Sequence, residues 1–234
     1  MSAITNAVLA RLGNRYDQIL ELTPKVDHLL EQSEVARQIH SNYASTGFVK
    51  VDNVLPEEPL VELVSDLWPI LSPIAQEVIM QQEPTPHGRL SDGARFRRVD
   101  PYCAPQPEKL TRLLAALGLT DFGFRLASKL TPLIRHIAGP VTFRRLYFYL
   151  YKEEDYLSVH DDRHVGARVD VQFPVTLGTI AGVRVLSDGL LRVHYDSPGS
   201  MNVLGPCVWH DVPPLLRGVS GIEPQRLNIG LRFT

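Results

Sequence analysis

Cysteine is scarce: Cys103 and Cys207 are the only two in 234 residues. Two cannot staple a chain this long, which excludes a disulfide-built scaffold and points to a reduced, cytoplasmic setting. Long apolar runs are missing too. No stretch approaches the ~20 residues that span a bilayer. The opening MSAITNAVLARLGNRY lacks the continuous apolar segment of a signal peptide, so no membrane partner is expected. Charge of one sign is also lacking: 24 Lys+Arg against 26 Asp+Glu leave a formal net charge of −2. Nucleic acid would need a dominant basic surface and is not an expected partner. There is no internal repeat and no low-complexity tract. What is present, 44% hydrophobic and 21% charged residues, suits one globular domain spanning residues 1–234.

The chain divides by periodicity into a mainly helical support region over 1–140 and a strand-rich region over 141–234. Ile4, Val8, Leu12, Ile19 and Leu20 recur at helical spacing. Thr23-Pro24 caps and opens a second helix, with Val26, Leu29, Leu30 and Ile39 on its apolar face and Gly47 past its end. Phe48–Val51 reads as a short strand. Glu57-Glu58 then open a helix carrying Leu60, Leu63, Val64 and Leu67. Residues 83–107, rich in Pro, Gly, Asp and Arg, read mostly as loop. Two further helices follow, with stripes Leu110–Leu117 and Leu126–Ile137.

From Val141 the period becomes two. Arg145, Tyr147, Tyr149 and Tyr151 share one face of a strand, with Arg144, Leu146, Phe148 and Leu150 on the other. Arg168, Asp170 and Gln172 alternate with Val169, Val171 and Phe173. Arg226, Asn228 and Arg232 alternate with Leu227, Ile229, Leu231 and Phe233. The helices need an apolar surface, and the apolar strand faces supply it. The polar faces are then left to line a barrel interior that can hold a polar ligand.

Of eight histidines, His28, His40 and His136 lie on expected helices and His87 in a loop, all without a telling partner. His160 differs. His160-Asp161-Asp162 places His and Asp on one side of an extended segment, and His210 enters far downstream. Two imidazoles and one carboxylate leave open positions on a metal, the donor set of non-haem Fe(II) oxygenases. A second His-x-Asp, His194-Tyr195-Asp196, lies too near His210 to leave room for intervening strands and reads as a solvated or barrel-lining pair. Arg226 opens the final strand and could grip a carboxylate with two parallel hydrogen bonds; Arg232, of the same parity, is the fallback.

The region from about Phe143 to Phe233 resembles the double-stranded β-helix of the 2-oxoglutarate/Fe(II)-dependent oxygenases, in their prolyl-hydroxylase-like or phytanoyl-hydroxylase-like branch. The lead-in Tyr151–Asp162 carries the likeness, with Glu154 where a glycine is usual. So do His210-Asp211-Val212-Pro213-Pro214 and Gln225-Arg226-Leu227-Asn228, with Asn228 replacing serine or threonine. The resemblance implies an α+β fold: a jelly-roll core flanked by N-terminal helices. It implies catalytic metal ligands His160, Asp162 and His210, with Fe(II) as cofactor and 2-oxoglutarate and O2 as co-substrates. Arg226 would bind the distal carboxylate of 2-oxoglutarate, helped by Tyr149 or Tyr147 and by Asn228. The implied reaction hydroxylates an unactivated C–H bond while 2-oxoglutarate becomes succinate and CO2. Retaining Asp162 favours hydroxylation over halogenation.

The substrate side is thinner. Arg95, Arg97 and Arg98 form a basic run that could hold a carboxylate or phosphate, and Arg168 could contact substrate or pair with Asp170. A small molecule, either a free amino acid or a natural-product intermediate, is the expected substrate. A peptidyl residue is the same-chemistry alternative. A non-catalytic small-ligand-binding barrel is a reading from another class, and a zinc hydrolase ranks last because Asp161 is its only adjacent base.

Overall fold

The computed structural model describes residues 6–31, 33–80, 93–163, 166–187, 189–218 and 221–234. Among them the helices are α1 (Asn6–Leu20), α2 (Pro24–Glu31), α3 (Ser33–Thr46), α4 (Glu57–Leu71), α5 (Pro107–Ala116) and α6 (Leu119–Ala138). The strands are β1 (Phe48–Val51), β2 (Gln76–Met80), β3 (Ala94–Val99), β4 (Phe143–Tyr151), β5 (Tyr156–His160), β6 (Val169–Leu177), β7 (Gly182–Ser187), β8 (Leu190–Tyr195), β9 (Met201–Leu204), β10 (Trp209–Val212) and β11 (Gln225–Phe233). No described helix is long and apolar enough to cross a membrane.

All strands join one antiparallel sheet in the order β1-β9-β6-β11-β4-β3-β5-β10-β7-β8, with β2 paired to β3. The path curls until its ends meet. Phe48 of β1 packs on His194 of β8 with ring centroids 4.4 Å apart, and Lys50 Nζ donates to the Tyr195 carbonyl at 3.0 Å. The result is a nearly closed barrel of the double-stranded β-helix type, flanked by the helices.

The alternating strands explain why the helices sit where they do. Leu146, Phe148 and Leu150 of β4, Val171 and Phe173 of β6, and Leu227, Ile229 and Leu231 of β11 turn outward into the main core. There they meet Leu63 and Leu67 of α4 and Phe122, Leu126 and Leu130 of α6. Each such side chain removed from water contributes about 1.5–3 kcal/mol. Truncating the fully buried Leu126 to Ala should cost roughly 2–5 kcal/mol. The opposite faces, carrying Tyr149, Asp170, Gln172, Asn228 and Arg232, line the interior, as the periodicity predicts.

Two expectations change. The helix read from Pro24 to Gly47 is two helices, α2 and α3, and Leu30 is exposed rather than on an apolar face. The segment read as loop contains β3, which lies between β4 and β5 and bridges the two halves of the barrel. Its arginines disguise a strand because their acids are remote in sequence. Arg97 and Arg95 both pair with Asp155, at 3.1 and 3.5 Å. His87 and residues 81–92 lie outside the described residues.

Candidate metal centre and its cavity

β5 and β10 run antiparallel and set His160 directly opposite His210. The next registered pair is Leu157 with Val212, so β5 carries one extra residue, a bulge that bends the strand. Ser158 pins this bulge to the start of β3: its N–H and hydroxyl donate to the Gly93 carbonyl at 2.9 and 2.7 Å, and Gly93 N–H donates to Ser158 Oγ at 2.6 Å. Beside His210, Arg184 of β7 makes a two-point ion pair with Asp211. The segment after β5 is held by Asp162 N–H donating to the Pro206 carbonyl at 3.1 Å.

The imidazoles are oriented in the same way. His160 Nδ1 lies 2.8 Å from the Ser158 carbonyl, and His210 Nδ1 lies 2.9 Å from the Val208 carbonyl. A carbonyl only accepts, so this pattern assigns the proton to Nδ1 and leaves Nε2 as the ligand atom. Nε2 of His160 is 3.9 Å from one oxygen of Asp162, and Nε2 of His210 is 3.7 Å from the other. All three ligand atoms lie within 4.8 Å of one another. The side chains are at most 13% exposed. Two imidazole nitrogens and one carboxylate oxygen converging from one side fit a divalent ion with open positions, and the donor chemistry suits Fe(II). No other such group occurs among the described residues.

The trio opens into a cavity of about 320 Å³. Its lining combines aromatic and apolar side chains, Phe96, Tyr149, Tyr151 and Val212, with polar ones, Asp170, Gln172, Asn228 and Arg232. Arg232 Nη2 donates to Tyr149 Oη at 3.0 Å, and its Nε is 3.6 Å from Asp170. Burial works most strongly against the Arg232 charge, but Asp170, Tyr147, Tyr149 and Asp162 together outweigh it and hold the guanidinium above its ordinary value. Burial pushes the Tyr149 hydroxyl up to about 12, so it remains a protonated donor. Burial likewise raises the Asp170 carboxyl, with Arg232 opposing.

The other expected residues fall in different places. Arg226 is fully buried and does not line this cavity. It grips Asp196 through Nε and Nη2 at 2.6 and 3.2 Å, and Asp196 also accepts from Thr176. The expectation that Arg226 faces the ligand is therefore revised, because a carboxylate from the end of β8 already occupies it. Tyr147 also stands back: its hydroxyl donates to Asp170 at 2.6 Å. Asn228 lines the cavity, and its buried Oδ1 has no partner among the described residues. Arg95 and Arg97 brace Asp155 outside the cavity lining, whereas Arg98 lines it. Arg168 points away. Its Nη2 passes 3.4 Å from where a Cβ on Gly139 would sit, at the end of α6. Asp161 pairs with Arg163 at 2.6 Å. Arg145 and Gln172, which lie on polar strand faces with no role evident from the sequence, both line the cavity.

No protein-family model matches the chain, and no curated protein matches it. Solved structures do share its fold. One is the non-haem α-ketoglutarate-dependent epimerase SnoN from nogalamycin biosynthesis, at 13% identity and TM-score 0.61, covering 87% of this chain and 83% of that one. Another is HygX from Streptomyces hygroscopicus, solved with nickel and 2-oxoglutarate bound, at 13% identity and TM-score 0.53, covering 84% and 86%. A prolyl-4-hydroxylase from Pseudomonas putida matches at 19% identity and TM-score 0.50, covering 85% and 97%. The chain thus has the double-stranded β-helix fold of the 2-oxoglutarate/Fe(II) oxygenases.

Proposed function

We propose that this protein is an Fe(II)- and 2-oxoglutarate-dependent oxygenase that oxidises a C–H bond of a small organic molecule. The observation that carries the proposal is the convergence of His160 Nε2, His210 Nε2 and an Asp162 oxygen at one point of a polar cavity. Fe(II) with 2-oxoglutarate and O2 would supply the oxidising power, releasing succinate and CO2. The fold likeness to proteins solved with metal and 2-oxoglutarate supports the choice of co-substrate.

The chain's own residues have three tasks. His160, Asp162 and His210 hold the metal, and the Ser158 and Val208 carbonyls fix the imidazole tautomers. Arg232 anchors the co-substrate's distal carboxylate. It lines the metal cavity, and its acid partner is 3.6 Å away, whereas Arg226 is held at 2.6 Å. Tyr149 adds a hydroxyl donor and Asn228 a carboxamide. Phe96 and Tyr151 add apolar surface to the cavity lining, which would limit water around a bound substrate. Asp162 would give the metal a carboxylate as its third protein ligand, a donor set that favours hydroxylation over halogenation.

Fe(II)-loaded protein kept free of oxygen tests this reading. Adding 2-oxoglutarate should produce a weak visible charge-transfer band, and the band should be absent in Asp162→Ala. No band in the wild type, with no change in thermal stability on adding Fe(II), would move the protein to the class of non-catalytic ligand-binding barrels.

A further inference from the structure

A second concavity, of about 640 Å³, adjoins the metal cavity. It lies between the β2–β3 pair and α5, and Arg98 lines both spaces. Its floor is apolar: Ile74, Leu110 and Leu113. Its rim is cationic, with Lys109 and Arg112 exposed on α5. Asp100 is the one acid among its lining residues, and it is paired with Arg145 at 3.4 Å.

Arg98 stands out from its neighbours by its partners. Arg95 and Arg97 share Asp155, Arg145 has Asp100 and Arg232 has Asp170. Arg98 Nε donates to Gln76 Oε1 at 3.2 Å, its cross-strand partner, and no described carboxylate lies within ion-pair distance of it. A half-buried guanidinium fixed by a neutral amide keeps its charge for a ligand.

We propose that this groove is the substrate site and that the substrate is an amphipathic organic acid. Its carboxylate, or a similar oxyanion, sits on Arg98, and its apolar body lies over Leu110 and Leu113. This rests on the metal-centre reading for its role as substrate site, but not for binding. The groove has about twice the volume of the metal cavity, which favours a molecule larger than a free amino acid.

The test uses two fluorescent probes with the same apolar body, 1-anilinonaphthalene-8-sulfonate and its uncharged parent N-phenyl-1-naphthylamine, titrated into the metal-free full chain. Both should bind with one-to-one stoichiometry. Arg98→Gln should weaken the sulfonate probe by about tenfold or more and leave the neutral probe within about twofold. Arg98→Lys should recover most of the loss, and Leu113→Trp should weaken both probes. Should Arg98→Gln fail to fold, the wild type decides. Raising salt from roughly 50 to roughly 500 mM should weaken the sulfonate probe alone. Equal sulfonate binding by wild type and Arg98→Gln, or a salt response shared by both probes, overturns the proposal. Probe binding needs no metal, so intact binding without succinate formation would count against the oxygenase reading alone. Succinate formation with Arg98-independent binding would count against the groove alone.

Discussion

His160 and His210 are direct cross-strand partners, and each is fixed through Nδ1 by the carbonyl two residues before it in its own segment. The same local device on two antiparallel strands turns both Nε2 atoms toward Asp162. Backbone geometry therefore orients both imidazoles of the ligand set, and the direct cross-strand pairing sets their rings 4.2 Å apart beside the bulge in β5.

Arg232 and Arg226 should respond differently to truncation. Arg232→Ala is expected to raise the half-saturating 2-oxoglutarate concentration by about 10- to 100-fold, the worth of a charge-assisted hydrogen bond. Arg226→Ala leaves Asp196 buried and uncompensated, and should instead cost stability, on the order of 3–5 kcal/mol. Saturation curves and thermal melts of both variants separate the two effects. A large 2-oxoglutarate effect in Arg226→Ala alone would reverse the assignment.

Gly230 faces Tyr147 across the β11–β4 pair, and a Cβ at position 230 would lie 1.9 Å from the tyrosine ring. The ring lies flat over the glycine, which lets its hydroxyl reach Asp170. Gly230→Ala should destabilise by about 1–3 kcal/mol or more. The loss should shrink in a Tyr147→Ala background, as a double-mutant cycle by urea unfolding would show. Equal losses in both backgrounds would mean that the contact is not the cause.

Glu154 occupies the third position of a turn closed by Asp155 N–H on the Lys152 carbonyl at 3.0 Å, with φ +65°. Glycine favours that position in turns of this kind, and it is the glycine that the family resemblance places there. The left-handed conformation costs a residue with a Cβ roughly 1–2 kcal/mol, partly offset by glycine's greater unfolded freedom. Glu154→Gly should raise the melting temperature by about 1–3 °C. A lower melting temperature would show that the weak contact with Arg95, 3.8 Å, matters more than the backbone.

The seam where β8 meets β1 should weaken in acid. Burial lowers the pKa of His194, with Lys50 and Arg192 adding to the effect. The folded state therefore binds this proton less readily than the unfolded chain does. Its contribution to stability is intact above the unfolded value of about 6.5 and is lost as pH falls through that value toward the folded one. His194→Phe keeps the ring on Phe48 and should lose less melting temperature than the wild type between about pH 7.5 and about pH 5.5. Parallel losses would remove His194 from the account.

The barrel's inner and outer faces were legible in the sequence because β4, β6 and β11 alternate strictly. The metal trio was legible because its spacing needs only one extended segment and one distant histidine. Depth along the barrel was not. Arg226 and Arg232 share a face, and what separates them is Asp196, delivered from the end of β8, which no local pattern reveals. β3 stayed hidden because the acids that neutralise its arginines lie on other elements, Asp155 after β4 and Glu77 on β2. Arg168 shares the parity of Asp170, yet it lies just before β6, where its N–H bonds to the Phe233 carbonyl and its guanidinium turns to the end of α6.

Conversion of 2-oxoglutarate to succinate by the Fe(II)-loaded protein, measured as oxygen is admitted, tests the central claim most directly. Amphipathic organic acids should be supplied as candidate substrates, and His160→Ala and His210→Ala should be run beside the wild type. Succinate formed by the wild type and reduced at least about a hundredfold in either variant is the expected result. Equal succinate from wild type and variants, or none from any of them, would contradict it.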